Sequence, residues 1–197
     1  MTVMVERSVN IPKLLDDLDA PEGFRVEWVE GGYAVTPPPA HEHETIAASL
    51  LRQLFRTDLE FVYPGGRGYC MTSSCTDLSK GNHVIPDLAI GARPFTQNEI
   101  AAAELHENWL SADALDVVVE ITSSNLKADT QAKVAAYGRM GIPYYLIVNR
   151  SAREVVLLSK PTGDVAEPGY ADRQSFAFGQ RVQLPDPYPV LKTTTWQ

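Results

Sequence analysis

Cysteine is nearly absent from this chain, with only Cys70 and Cys75 among 197 residues. Five positions apart, they supply neither a disulfide framework nor a metal-ligand spacing. A reducing compartment keeps such a pair as free thiols, and only an oxidising one joins them. Long apolar runs are missing too: none reaches the ~18 residues that span a bilayer. The N-terminus, MTVMVERSVN, carries an acid and a base where a secretory signal has an apolar stretch. These absences predict a cytoplasmic protein with no membrane partner. Positive charge is also scarce. Lys and Arg number 17 against 25 Asp and Glu, giving a net charge of -8 and a pI near 5.0. That balance counts against a nucleic-acid binder held only by Lys/Arg–phosphate contacts. It leaves room for a nuclease, because bound metal and a local basic patch can reverse the sign inside a cleft.

What is present suits one α/β domain. Hydrophobic residues make up 44% and charged residues 21% of the chain, enough apolar material for a sizeable core. PKLLDDL near the N-terminus reads as a short amphipathic helix. Two alternating runs, 24–30 and 32–35, meet at Glu30-Gly31-Gly32 as a hairpin, and Pro37-Pro38-Pro39 ends it. Apolar residues at helical spacing predict a helix over 45–55. Strands follow at 60–63 and 84–90 (VIPDLAI), then a helix over 98–109 with Thr96 as its N-cap. The β-branched run LDVVVEI, 115–121, is a buried strand, and a helix over 126–140 ends at Gly141 and Pro143. Further strands are expected at 144–148, 154–158, 175–178 and 181–184.

Two acids stand out in this pattern. Asp87 lies within VIPDLAI and Glu120 near the end of LDVVVEI. A carboxylate in an apolar strand is costly unless it is paired or binds a metal. Pattern alone also allows both to sit on a solvated sheet face. On the downstream helix, Asp129, Lys133 and Tyr137 are spaced i, i+4, i+8 and share one face. A helix that packs back on the Glu120 strand brings Lys133 toward the acids. Two carboxylates and a lysine around a metal ion are a recurring solution for phosphodiester hydrolysis.

In ordered motifs the chain resembles the Uma2 family of restriction-endonuclease-like proteins, within the PD-(D/E)XK nuclease superfamily. The matching segments are VEWVEGGYAVTPPP, His43-Glu44-Thr45-Ile46, Pro86-Asp87, VVVEITSS, then Asp129, Lys133 and Tyr137, and GIPYYLIVN. Together they run from about residue 24 to 160. The resemblance implies a central mixed β-sheet flanked by helices, with an N-terminal hairpin and a C-terminal β extension. It places a single domain over 1–197, with its core at about 24–160, an N-terminal helical region at 1–20 and an extension at 161–197. It further implies a Mg²⁺- or Mn²⁺-dependent endonuclease acting on nucleic acid, with DNA as the expected substrate, and a homodimer. Carried over by position, Asp87, Glu120 and Lys133 are catalytic, and Asp87, Glu120 and Glu27 hold the metal. The superfamily's usual E-x-K lysine falls at Thr122, and the family moves the lysine onto the helix. Tyr144-Tyr145-Leu146 and Asn149 depart from the family's pattern on a strand expected to be structural.

His43, Asp129, Lys127 and Tyr137 are supporting candidates. His43 either helps the site or caps and packs. Lys127 rivals Lys133 for the phosphate, although in the first helical turn it opposes the helix dipole. Two other functions fit the same residues: a non-catalytic binding or scaffold protein on a nuclease fold, and a hydrolase of a small phosphorylated molecule. A nuclease should gather cations around the acidic pair, from among Arg52, Arg56, Arg67, Lys80, Arg93, Lys127 and Arg139.

Overall fold

In the computed structural model, residues 21–71, 81–105, 108–122, 128–163 and 165–196 are described. The expected N-terminal helix, Cys75, Lys80 and Lys127 lie outside them, as does the side chain of Asp129.

The chain begins with the expected hairpin, β1 (Arg25–Val29) and β2 (Gly32–Thr36), turning at Glu30 and Gly31, both with positive φ. Helix α1 (His41–Leu54) starts four residues earlier than its apolar spacing indicates. Glu42 and Glu44 in its first turn favour the positive end of the helix dipole, which extends the helix to the end of the proline run. Strands β3 (Val62–Pro64), β4 (Tyr69–Cys70), β5 (His83–Val84) and β6 (Leu88–Gly91) follow. Helix α2 (Gln97–Leu105) is capped as predicted: Thr96 Oγ1 accepts from the Glu99 amide at 3.2 Å, and Glu99 accepts from the Thr96 amide at 2.7 Å. Next come β7 (Leu110–Ser111) and β8 (Leu115–Ile121). One π-helical stretch, Ala128–Ala132, runs into α3 (Lys133–Arg139). The remaining strands are β9 (Tyr144–Asn149), β10 (Glu154–Pro161), β11 (Tyr170–Ala177), β12 (Arg181–Val182) and β13 (Leu191–Lys192).

Two mixed sheets form the architecture. The larger has the order β11-β10-β9-β8-β6-β3, with β8 and β9 parallel and joined through α3. The smaller has the order β2-β1-β5-β4-β7. One face of the large sheet packs under α1 (Ile46, Leu50, Leu54) and the C-terminal residues Val182, Leu184, Leu191 and Trp196. Its other face packs against α3 and the smaller sheet through Ala136, Tyr137, Val29, Tyr69 and Val84. The C-terminal segment is thus one wall of the core. Gly138 lets α3 lie close to the loop at Gly169, since a Cβ there would come within 2.4 Å of the Gly169 carbonyl.

Two expectations need correction. VIPDLAI is not one strand: β5 belongs to the smaller sheet and β6 to the larger, and Pro86-Asp87 is the corner between them. Pro86 has no amide to give to a ladder, so the run breaks where it changes sheets. Cys70 is disulfide-bonded rather than a free thiol.

Candidate active site

The corner at Pro86-Asp87 brings the acids together. The amide of Asp87 donates to Val119 O at 3.1 Å, and Leu88 pairs with Val119, so the antiparallel register carried back one residue sets Asp87 opposite Glu120. Glu27 comes from β1 of the other sheet and accepts from the Ile85 amide at 2.6 Å. Two short bonds therefore pin the segment 85–87, one to each sheet. Glu27, Asp87 and Glu120 are all buried.

Each acid has cationic company. Lys133 Nζ lies 2.8 Å from Glu120 Oε1 and 3.0 Å from Glu27 Oε2, and is itself buried. One turn on, Tyr137 donates its hydroxyl to the same Glu120 oxygen at 2.6 Å, with its ring edge-on to Tyr145. The i, i+4 face of the helix thus meets the strand acid directly. Burial pushes the Tyr137 hydroxyl well above its ordinary pKa, and the neighbouring Glu120 and Glu27 add to that, so it remains a donor.

Asp87 has a different set of partners. Oδ1 accepts from Arg25 at 2.9 Å, and Oδ2 lies 2.9 Å from His43 Nε2 and accepts from the Ile121 amide at 2.8 Å. Burial alone would raise the Asp87 carboxyl, but His43, Arg25 and the Ile121 amide together hold it below its usual value. Arg25 is also in the field of Glu120 and Glu27, and its side chain is 23% exposed, the most open part of the cluster.

Sequence reasoning missed Arg25. The available signal was its position two residues before Glu27 on one strand, which puts both on the same face. Thr122, at the usual lysine position, is buried and tied elsewhere: its Oγ1 accepts from the Arg150 amide at 3.1 Å and its carbonyl from Arg150 Nε at 2.6 Å. Arg93 and Arg139 are drawn off to Glu99 and Glu30. None of the seven cations expected around the acidic pair is ion-paired with it among the described residues; Lys133 and Arg25 are the cations paired there.

No cluster of three or more His, Cys, Asp or Glu side chains arranged to hold a metal occurs among the described residues. The donor chemistry still suits a hard cation, since Asp87 and Glu120 offer carboxylate oxygens from opposed backbone positions. The Glu27–Lys133 ion pair leaves Glu27 Oε2 without a well-formed hydrogen bond, although it is fully buried. Arg25, at the rim, occupies Asp87 Oδ1.

Residues 12–195 match the Uma2 family, described as "Putative restriction endonuclease". The match extends beyond the 24–160 span of the motifs. Among solved structures, the fold is similar to a crystal structure described as a putative nuclease belonging to DUF820 from Anabaena variabilis. That likeness has a TM-score of 0.53 at 18% identity and covers 87% of this chain and 88% of that one. No curated protein matches the chain.

Proposed function

The chain belongs to the Uma2 family, a family of restriction-endonuclease type, and from that premise we propose that it is a divalent-metal-dependent endonuclease acting on DNA. The observation that carries this reading is the buried Lys133, placed between Glu27 and Glu120. Asp87 and Glu120 would hold Mg²⁺ or Mn²⁺, with Glu27 as a further oxygen donor. When bound, the ion neutralises charge on the phosphodiester and acidifies the attacking water.

The chain's own groups do the rest. Lys133 is an ammonium donor at the site, able to orient a water or steady charge building on the phosphate. Tyr137 holds Glu120 in place through its hydroxyl. His43 and the Ile121 amide fix Asp87 Oδ2, leaving Oδ1 as the oxygen whose partner can exchange. Arg25, displaced from Asp87, would remain within reach of a substrate phosphate. A pair of such sites in a homodimer would address both strands of a duplex.

Cleavage of supercoiled plasmid with Mg²⁺ and with Mn²⁺ tests the proposal. Wild type should nick or linearise the plasmid and Asp87→Ala should not, while equal traces from both would sink it. A second reading, a nuclease-fold protein that binds without cutting, is favoured by the engagement of both Asp87 oxygens with Arg25, His43 and Ile121. Calorimetry with millimolar Mn²⁺ separates the two, because only the nuclease takes up the ion.

A further inference from the structure

Beside the acids lies a cleft that the proposed chemistry does not use. A cavity of about 650 Å³ is lined by the loop Pro64–Gly68 together with Tyr63, Ile85, Asn108 and Trp109. A second, of about 370 Å³, adjoins it along Tyr63, Arg67 and Asn108 and extends to Phe95 and Glu104. Tyr63 and Phe95 form an aromatic wall, with ring centroids 5.4 Å apart, and Tyr69 stacks behind Phe95. The loop lies flat on Trp109 because Gly68 has no side chain: a Cβ there would meet the indole ring at 2.5 Å.

This cleft backs onto the corner that carries Asp87. A Cβ at Gly65 would stand 2.8 Å from the Asp87 carbonyl, so the loop backbone rests on the corner that carries Asp87. Ile85, in the cleft lining, gives its amide to Glu27. Charge is divided along its length. Arg67 is exposed, with its field on the Tyr63 and Tyr69 hydroxyls, and among the described residues the one lining carboxylate, Glu104, is at the outer cavity.

We propose that this cleft receives an unstacked nucleobase from a single-stranded stretch of nucleic acid, its phosphate on the Arg67 side and leading to Asp87. Three observations carry the inference. Aromatic faces beside one arginine are the chemistry of base stacking with backbone tracking. A cavity of this size takes a nucleotide but not a duplex. The chain has a net charge of -8, and among the described residues Arg67 is the one cation lining the two cavities, too little positive charge there to neutralise a duplex backbone. Stacking supplies the affinity that charge does not. The inference rests on the nuclease reading for its substrate class and specifies which form of that substrate is taken.

Fluorescence anisotropy on the full chain in EDTA tests it. The probes are a labelled oligothymidylate of about ten nucleotides, within the usual site size, and a duplex of equal length, at about 50 and 200 mM salt. The single strand should bind about tenfold more tightly, with a shallow salt slope set by one or two phosphate contacts. Arg67→Ala, on the surface, and Tyr63→Ala should each weaken the single strand about five- to tenfold and leave the duplex unchanged. Tyr63→Leu stands in if Tyr63→Ala does not fold. Equal binding of strand and duplex, no binding of either, or wild-type binding by both variants overturns the proposal. Because no divalent ion is present, the outcome is independent of cleavage. A protein that cuts plasmid without preferring the strand loses this cleft and keeps its nuclease reading, and one that prefers the strand but cuts nothing does the reverse.

Discussion

Lys133 Nζ stands 3.0 Å from Glu27 on the smaller sheet and 2.8 Å from Glu120 on the larger, so one buried ammonium ties the two sheets together at the acids. Its removal leaves two buried carboxylates without that cation. Lys133→Met should therefore abolish cleavage and also cost about 3–5 kcal/mol of stability, read by urea unfolding. Pairing it with Glu27→Gln should recover part of that loss, since one stranded charge is removed. A stability unchanged from wild type would mean the ion pairs contribute nothing.

Tyr137 should separate positioning from packing. Tyr137→Phe keeps the ring against Tyr145 and removes the donor to Glu120. The expected cost is about 1–3 kcal/mol, the penalty of an under-satisfied buried acceptor. Cleavage should slow without a change in the far-ultraviolet circular dichroism. Full activity in this variant would show that Glu120 does not need the Tyr137 hydroxyl.

In the proposed site, Arg25 and a metal ion would compete for Asp87 Oδ1. Arg25→Gln should tighten Mn²⁺ binding about tenfold in calorimetry, from the loss of one charge-assisted bond at the carboxylate. Asp87→Asn in the same titration should weaken uptake instead. Equal affinities for wild type and Arg25→Gln would remove Arg25 from the metal's path.

His83 predicts a pH effect away from the acids. It is buried edge-on to Trp109, and neither ring nitrogen has a well-formed hydrogen bond among the described residues. Burial lowers its pKa from 6.5 to about 4, outweighing the opposing effect of the Gly81 backbone. The unfolded chain then binds the proton first. Stability should fall as pH drops from 6.5 toward 4, by at most about 1.4 kcal/mol per pH unit, and the His83 contribution should level off below that. His83→Phe should flatten the urea midpoint across this window, and a slope equal to wild type would assign the effect to other groups.

Much of the fold was legible because its elements have strong local signals. LDVVVEI forms a strand over the predicted residues, and the 45–55 periodicity and the Glu30-Gly31 turn both belong to the elements they suggested. VIPDLAI misled because alternation describes a strand but not which sheet each half joins. The helix over 126–140 is partly π-helical before Lys133, a change in winding with no mark in the apolar spacing.

By itself, the sequence determined the family, the α/β class and which residue types could do metal-assisted chemistry, since these follow from ordered motifs and short-range periodicity. Only the tertiary structure decided the partners: Arg25 and His43 with Asp87, Lys133 and Tyr137 with Glu120, and the aromatic cleft against the Asp87 corner. The reason is distance along the chain. Arg25 and Asp87 are 62 residues apart and His43 and Asp87 are 44 apart, so they meet through the crossing of two sheets and one helix. No local pattern encodes that crossing.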